Sequence, residues 1–480
     1  MDPLDTDSSS LDAVVDSLAA GEPRWQSLST RERADLLAQV RLDTWRVAPD
    51  WHRASCAQKG IDPDSSAGAE ELLAGIVMFA RLVEVYEDSL RHPHPDSGEG
   101  RVRVLPSTWV ERLLFTGVRA DVWSDRPATL SQRGGVAVVL GAGNVASLTP
   151  RDALHHLVVE GRVVLVKANP VNEYLVEYWE RALRALIDVG AVVFVRGGVE
   201  VGQHLLAHPS VTAVHVTGAA ASAAAIASRV REGVEFTSEL GSVTPVIIVP
   251  GDWRRREMTY QVDHVATMLV NNAGCNCLTP RVLVTARGWA QRDEFVELLE
   301  ARLEVLGTRT TFYPRSSERQ AEFLATHPRA HVVGSSSSTS LPWALDWGLS
   351  PESADSSFRE EYFCPALVEV RVEETDPASF LNAAVEFANS ELWGTLATTV
   401  LIDPRTRRRA GMNEALRRAV ADLRYGTVAV NVFHGLGIAL GTTTWGAYPS
   451  DDPGAGRGVV GNGHFIAGAS HSVLEGPFYT

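Results

Sequence analysis

The positions of apolar residues divide the chain into a helical N-terminal part and a longer part in which strands and helices alternate. In "STRERADLLAQVRLDTW", Ser29 or Thr30 can cap a helix that carries an apolar stripe. The segment "EELLAGIVMFARLVEVYEDSL", residues 70–90, also repeats apolar residues at helical spacing. We therefore expect residues 11–90 to be mostly helical.

Short valine-rich runs follow, separated by segments with helical periodicity. The runs occupy residues 136–140, 163–166, 192–195, 211–216 and 246–249. Between the second and the third run, "YLVEYWERALRALIDVG" places five apolar residues on one helical face: Leu175, Trp179, Ala182, Leu183 and Leu186. Because β-branched runs that alternate with helices are typical of βαβ units, we expect a parallel sheet.

A second α/β region follows the first. Strands are predicted at residues 282–286, 366–372, 398–403 and 426–432, and helices at 292–306 and 377–390. The last forty residues are glycine-rich and have no clear period. The pattern therefore predicts two α/β domains joined near residue 245, followed by a tail that is either a loop or an arm packing on a neighbouring subunit.

Composition narrows the range of functions. The formal net charge of -15 argues against a nucleic-acid or anionic-membrane partner. Four cysteines in 480 residues are too few for a disulfide framework, so a reducing cytoplasm is the expected setting. No apolar run approaches the roughly 18 residues that a membrane span needs.

The stretch "VAVVLGAGNVAS", residues 136–147, fits the dinucleotide fingerprint G-x-G-x-x-G/A. That fingerprint requires an acidic residue at the end of the second strand, to bind the ribose hydroxyls. Here Lys167 ends that strand, and Glu160 precedes it. Thr149 and Pro150 also interrupt a helix that would start directly at the glycines. A tight turn at the end of a strand explains these glycines equally well.

A series of eight segments is more informative than this single motif. In chain order they are "GAGNVASLTP", "VVLVKANPVN", "VHVTGAAAS", "FTSELGSVTPVII", "NNAGCNCLTPR", "EEYFCP", "ANSELWGTLATTV" and "GTVAVN". Their order and spacing resemble the aldehyde dehydrogenase superfamily, and are most similar to a bacterial branch with "GAGNV", "K-x-NPVN", "NNAG-x-NC" and "TWGAYP". The resemblance implies a Rossmann-like cofactor domain and a second, catalytic α/β domain.

The domain boundaries follow from this resemblance. Residues 1–100 are expected to form a helical N-terminal segment of the cofactor domain, and residues 101–245 its NAD(P)-binding α/β part. Residues 246–440 are expected to form the catalytic domain. The tail, residues 441–480, is expected either to return to the cofactor domain or to act as an oligomerisation arm.

The resemblance implies three catalytic residues: Cys277 as nucleophile, Glu239 as general base and Asn144 as oxyanion donor. In the commoner family form the nucleophile lies three residues after a glycine and five residues before an arginine. Counting from Gly274 selects Cys277, whereas counting back from Arg281 selects Asn276. Because the two counts disagree by one residue, Cys275 stays an alternative nucleophile. The C-x-C pair could instead bind a metal, but no second Cys/His cluster accompanies it. Two packing cysteines are a further alternative, and no metal is expected.

The cofactor residues implied by the resemblance are Lys167, Thr217, Gly218, Ala219, Glu361 and Phe363. Lys167 would contact the adenosine ribose, and Thr217-Gly218-Ala219 would precede a helix that faces the pyrophosphate. Glu361 and Phe363 would hold the nicotinamide ribose and ring. Pro170 stands where the family has a ribose-binding Glu, so the choice between NAD and NADP is left open.

The expected function is NAD(P)+-dependent oxidation of a small-molecule aldehyde to a carboxylic acid, through a thiohemiacetal and a thioester on cysteine. An acylating enzyme, in which a thiol such as coenzyme A replaces water, is an alternative favoured by the Cys-x-x-Pro spacing. A non-catalytic, dehydrogenase-like scaffold is another. The resemblance also implies a homodimer or a homotetramer.

Overall fold

The computed structural model describes residues 8–92, 100–124, 133–450, 452–466 and 468–479. Numbered along the chain, the α-helices are α1 (Ser8–Ser27), α2 (Thr30–Lys59), α3 (Ser66–Leu72), α4 (Met78–Arg91), α5 (Trp109–Leu114), α6 (Leu148–Leu154), α7 (Val176–Ala182), α8 (Arg184–Asp188), α9 (Val199–Ala207), α10 (Ala220–Ala227), α11 (Arg255–Val270), α12 (Arg292–Leu306), α13 (Ser316–Thr326), α14 (Pro377–Ser390), α15 (Pro404–Arg407), α16 (Met412–Asp422) and α17 (Leu436–Ala439).

The strands are β1 (Gly100–Leu105), β2 (Arg119–Ser124), β3 (Val136–Leu140), β4 (Val163–Lys167), β5 (Val192–Val195), β6 (Val211–Gly218), β7 (Glu235–Leu240), β8 (Thr244–Ile248), β9 (Pro280–Ala286), β10 (Arg309–Thr310), β11 (His331–Val333), β12 (Ser340–Leu341), β13 (Trp343–Leu349), β14 (Ala366–Val372), β15 (Ala397–Leu401), β16 (Thr427–Val430), β17 (Thr444–Gly446), β18 (Val459–Gly461) and β19 (Ala469–Glu475).

The described residues belong to two compact units. The first unit falls within Met1–Val104, Val122–Leu240 and Gly437–Ser470. The second falls within Leu105–Asp121, Gly241–Leu436 and His471–Thr480. No helix in the described part of the chain is both long enough and apolar enough to cross a membrane.

The first unit contains a five-stranded parallel sheet with the order β5-β4-β3-β6-β7. Its register aligns Leu140 with Lys167 and with Val216, so the carboxyl ends of these strands lie along one edge. The residues of β4 are all buried, as expected for a parallel sheet that is covered on both faces. The parallel sheet predicted from the valine-rich runs is thereby confirmed for the first four runs. The fifth run, residues 246–249, lies instead at β8 in the ten-stranded sheet, and β7, which the sequence pattern does not predict, completes the five-stranded sheet.

The helical segments of the first unit follow the apolar pattern, with two local changes. Ser29 caps α2 in a capping box with Glu32, because its hydroxyl accepts from the Glu32 amide and the Glu32 carboxylate accepts from the Ser29 amide. The predicted helix 70–90 contains a π-helical turn, Leu73–Val77, between α3 and α4. The helix predicted after Leu175 is divided at Leu183 into α7 and α8, but its five predicted core residues are all buried.

A second sheet has ten strands in the order β1-β2-β19-β16-β15-β8-β9-β14-β13-β11. In this order, every neighbouring pair in the stretch β19-β16-β15-β8-β9-β14-β13 is parallel, and β11 is antiparallel to β13. Strands β8, β9 and β15 are buried throughout. This second parallel region matches the second set of strands that the sequence predicts.

Candidate active site

The glycines of "GAGNV" provide close packing within the protein. A Cβ atom on Gly141 would lie 2.3 Å from the Thr149 hydroxyl oxygen, and one on Gly143 would lie 2.7 Å from the Asn169 side-chain oxygen. Helix α6 begins at Leu148, so Thr149 and Pro150 lie in its first turn and do not interrupt it. Proline is tolerated there because the first amides of a helix have no intrahelical acceptor.

Asn144 follows β3 in this loop and is buried. Its carbonyl oxygen accepts a hydrogen bond from the Lys59 ammonium at 3.4 Å. Lys59 ends α2 and pairs with Glu71 of α3 at 2.6 Å, and both side chains are buried. The N-terminal helices therefore hold the backbone of the predicted oxyanion donor.

Lys167 lies where the sequence predicts, at the carboxyl end of β4, and is buried. Burial lowers the pKa of its ammonium group, while the carboxylates of Glu173 and Glu200 act in the opposite direction. Glu173 accepts from the Gly197 amide at 3.0 Å, and Glu200 lies exposed in the first turn of α9. Acidic side chains thus face Lys167 even though Pro170 occupies the usual position of the family Glu.

The segment Thr217-Gly218-Ala219 lies at the end of β6 and directly before α10. Gly218 and Ala219 are exposed, and a Cβ atom on Gly218 would meet nothing within 4 Å. Among the described residues, no side chain caps the N-terminus of α10. Its first amides and the open space before them suit a phosphate group. The Thr217 hydroxyl points elsewhere, because it donates to the buried Asp152 carboxylate at 2.7 Å.

Glu239 is buried near the carboxyl end of β7. Burial raises the pKa of its carboxyl group well above the usual value; the Asp152 carboxylate raises it further, and Arg151 opposes the shift. Its Oε1 has no hydrogen-bond partner among the described residues. Gly446, in β17, lies against it, since a Cβ atom there would be 3.1 Å from Oε1. A buried carboxyl group with a raised pKa is a candidate acid or base.

The two candidate nucleophiles lie in the second unit, after α11. Asn272, Ala273 and Gly274 all have left-handed backbone conformations, with φ of 50°, 55° and 72°. This turn leaves Cys275 fully buried, with its sulfur 3.3 Å from the Ser316 hydroxyl oxygen. Cys277 is half-buried. Because a nucleophilic thiol must be accessible to its substrate, the burial favours Cys277.

The loop that carries these cysteines is fixed at both of its ends. The Arg281 guanidinium donates to the carbonyl oxygens of Gly274 and Cys364, each at 2.7 Å. His434 is buried, with its Nε2 2.7 Å from the Leu278 carbonyl oxygen. Arg281 and His434 are polar residues within apolar stretches of the sequence, and this pattern could have marked them as buried polar groups. Among the described residues, no group of three or more potential metal ligands is present.

Glu361 and Phe363 lie together in the second unit, in the loop before β14. Burial raises the pKa of Glu361 to about 7, although Arg281 and Arg319 act in the opposite direction. Its Oε1 has no hydrogen-bond partner among the described residues, so the carboxyl group can still accept from a ligand hydroxyl. Phe363 has a left-handed conformation (φ 51°), and its ring centroid lies 4.8 Å from that of Tyr313.

A buried polar cluster that the sequence motifs did not predict lies next to Thr217 and Glu239. Asp152, on α6, is 1% exposed, and His215, on β6, is 2% exposed. The His215 ring lies between two hydroxyl groups: its Nδ1 is 2.8 Å from Thr237 and its Nε2 is 3.2 Å from Thr217. A histidine inside the apolar run "TAVHVTG" was the available signal, but the run alone does not reveal its partners.

Comparisons with known proteins identify the family and the fold of the chain. The model of the "Aldehyde dehydrogenase family" matches residues 3–322. Among solved structures, the chain is similar to aldehyde dehydrogenase 21 from Physcomitrella patens, which was solved in complex with the reaction product succinate. The two chains share 13% identity with a TM-score of 0.73, and the match covers 98% of this chain and 90% of that one. No curated protein sequence matches this chain.

Two further structures show the same fold. An aldehyde dehydrogenase from Brucella melitensis biovar abortus has 17% identity and a TM-score of 0.71, and the match covers 99% of this chain and 90% of that one. Glyceraldehyde-3-phosphate dehydrogenase from Methanocaldococcus jannaschii, complexed with NADP, has 13% identity and a TM-score of 0.68, with coverage of 98% and 94%. The fold and the family model, which spans well over half of the sequence, lead to one conclusion: the chain belongs to the aldehyde dehydrogenase family of NAD(P)-dependent oxidoreductases.

Proposed function

We propose that the chain oxidises a small-molecule aldehyde to a carboxylic acid through a covalent thioester on Cys277. The observation that carries this proposal is Glu239, a buried carboxyl group with a raised pKa and an oxygen that lacks a partner among the described residues. Hydrolysis of a thioester requires a base that takes a proton from water, and a carboxyl group with a raised pKa suits that task once it is ionised.

The first step is attack by the Cys277 thiolate on the aldehyde carbon, which gives a thiohemiacetal. The half-buried position of Cys277 supports this role, and the complete burial of Cys275 argues for a structural role there. Asn144 is the proposed side-chain donor to the developing oxyanion. A preorganised donor of this kind contributes on the order of 2.7–4 kcal/mol to the transition state.

NAD+ or NADP+, when bound, supplies the acceptor for the hydride that leaves the thiohemiacetal carbon. The exposed, uncapped start of α10 at Gly218 and Ala219 suits the pyrophosphate. Lys167 is proposed to bind the adenosine ribose, and Glu361 and Phe363 to bind the nicotinamide half. The acidic groups that face Lys167 would disfavour a 2′-phosphate, so we expect NAD+ to be preferred.

Glu239 then takes a proton from water, and the hydroxide oxygen attacks the thioester carbon. The carbon–sulfur bond breaks, the acid is released and the Cys277 thiolate is restored. Aldehyde, water and NAD(P)+ are thus converted into acid, NAD(P)H and a proton. Assembly as a homodimer or homotetramer stays a prediction from the family resemblance.

The decisive experiment compares the wild-type protein with Cys277→Ala, Cys275→Ala and Glu239→Gln in a panel of aldehydes. We expect Cys277→Ala to abolish NAD(P)H formation and Cys275→Ala to retain it. Glu239→Gln should form one equivalent of NAD(P)H rapidly and then turn over about 10²–10⁴-fold more slowly. Activity that depends on added coenzyme A would instead show the acylating reaction, and full biological function in Cys277→Ala would indicate a non-catalytic scaffold.

A further inference from the structure

A chain of buried hydrogen bonds ends at the Asp152 carboxylate in the first unit. Thr237 can donate to His215 Nδ1 at 2.8 Å, His215 Nε2 to Thr217 at 3.2 Å, and Thr217 to Asp152 Oδ2 at 2.7 Å. Because the Thr217 hydroxyl donates to Asp152, its oxygen can accept from His215 Nε2. Asp152 is therefore the final acceptor of the chain.

Glu239 belongs to the same buried neighbourhood. Thr217 and Glu239 are partners in the parallel register of β6 and β7, so the strand that presents the Thr217 hydroxyl runs beside the strand of the proposed base. The two carboxyl groups are not equivalent. Asp152 accepts a hydrogen bond from Thr217, whereas Glu239 Oε1 lacks a partner among the described residues. Donors stabilise the ionised form of a carboxyl group, so this difference in contacts favours the proton on Glu239.

Two ionisable groups act directly on this pair: Arg151, whose charge opposes the raised pKa of Glu239, and His215, whose Nε2 lies 3.7 Å from Asp152 Oδ2. Arg151 donates to the carbonyl oxygens of Met78 and Ile438, at 3.0 and 2.7 Å. Tyr86 donates to the Gly461 carbonyl, and burial raises the pKa of its hydroxyl. His156 lies with its ring centroid 5.0 Å from that of His215; burial lowers its pKa, and its partner is Glu160 at 2.9 Å.

We propose that Asp152 is a positioning residue that controls the protonation of Glu239: the two buried carboxyl groups share one negative charge, and Asp152 keeps a proton on Glu239 in the resting protein. The proposal rests on the proposed role of Glu239 as the base that activates water. It assigns to Thr217 a structural role in addition to its place before α10, because its hydroxyl holds the charge on Asp152.

The pair has a defined consequence for the pH dependence of hydrolysis. A neighbouring negative charge disfavours ionisation of a carboxyl group, so loss of that charge makes Glu239 a base at lower pH. Asp152→Asn preserves the shape of the side chain and an oxygen that accepts from Thr217. In this variant we expect the acid limb of the rate of thioester hydrolysis to move to lower pH by about one pH unit or more. The first equivalent of NAD(P)H should form as in the wild type.

Infrared difference spectroscopy tests the pair without any need for turnover. Beside the band of Glu361, whose pKa is about 7, the wild-type protein should show a second protonated-carboxyl component at neutral pH. This component should disappear in Glu239→Gln and be lost, or titrate at lower pH, in Asp152→Asn. A wild-type protein without this component, or a folded Asp152→Asn protein in which it is unchanged, would overturn the proposal. If Asp152→Asn does not fold, Thr217→Val tests the same pair, because loss of the donor should redistribute the proton and change the band.

The two proposals fail in different ways. If the wild-type protein forms no NAD(P)H from any aldehyde while the carboxyl band behaves as expected, the proposed function is wrong and the proposal that the two carboxyl groups share one charge is supported. If turnover occurs but Asp152→Asn shows the wild-type pH profile and band, the shared proton is wrong and the function stands.

Discussion

The position of the Glu361 carboxyl group depends on the absence of a side chain at Gly241. A Cβ atom on Gly241 would lie 1.7 Å from Glu361 Oε2, far inside van der Waals contact. The φ of Gly241 is not positive, so close approach alone requires glycine there. The family pattern marks this glycine as part of a motif, but only the fold shows which atom it accommodates.

Gly241→Ala should therefore displace Glu361 and weaken cofactor binding. We expect the dissociation constant of NAD+, measured by calorimetry, to rise about tenfold or more, which corresponds to about 1.4 kcal/mol. Gly202→Ala in α9 is the matched control, since a Cβ atom there meets nothing within 4 Å. Equal affinities for the wild type and Gly241→Ala would contradict the prediction.

Glu361 should also couple stability to pH. Burial raises its pKa from 4.5 to about 7. A carboxyl group with a raised pKa stabilises the fold fully below its unfolded pKa, and this stabilisation is lost as the pH rises through the folded value. The melting temperature of the wild type should thus fall relative to that of Glu361→Gln as the pH rises from 4.5 to about 7, and the difference should then stay constant. A difference that does not depend on pH would exclude the effect.

Among the secondary-structure elements, the N-terminal helices contribute buried polar contacts as well as buried apolar surface. Lys59 ends α2 in a buried ion pair with Glu71 of α3, and its ammonium group also reaches the Asn144 carbonyl. The helical periodicity predicts both helices. It does not show that Lys59, which precedes the Gly60 C-cap, is buried, because lysine side chains are usually exposed in folded proteins.

Lys59→Met should leave the Glu71 carboxylate buried without its cation. Removal of one partner from a buried pair costs about 3–5 kcal/mol, whereas replacement of both by apolar residues is often neutral. We expect denaturant unfolding to show this loss for Lys59→Met and substantial recovery in Lys59→Met/Glu71→Leu. The double variant should still lose turnover, since the Lys59 ammonium no longer donates to the Asn144 carbonyl. A stable, fully active single variant would show that the pair has no such role.

On the scale of the whole molecule, the C-terminal residues are part of the folded units. Residues of Gly437–Ser470 belong to the first unit, where the Gly461 carbonyl accepts from the buried Tyr86 hydroxyl at 2.7 Å. Gly446 lies against Glu239, and Ser238 exchanges two backbone hydrogen bonds with Arg457. The tail predicted as a return to the cofactor domain or an oligomer arm thus supplies groups that pack around the proposed base.

Deletion of residues 441–480 should therefore abolish cooperative folding. The deletion removes β19, which pairs with β16, and uncovers Tyr86 and Glu239. We expect loss of the near-ultraviolet circular dichroism of the packed aromatic residues and binding of an apolar dye. A truncated protein with an unchanged unfolding midpoint would mean that the tail contributes little to the fold.

The sequence by itself determined the valine-rich strands, the main amphipathic helices, the presence of a parallel sheet and the family. Valine-rich runs and helical periodicity act over a few residues. The ordered series of motifs pointed to the family although overall identity to the similar solved structures is only 13–17%. Only the tertiary structure decided how side chains far apart in the chain meet. Asp152 with Thr217, Lys59 with Asn144 and Gly446 with Glu239 are such contacts. Burial and charge are properties of such contacts, so the protonation of the proposed base could not be predicted from the residues that precede and follow it.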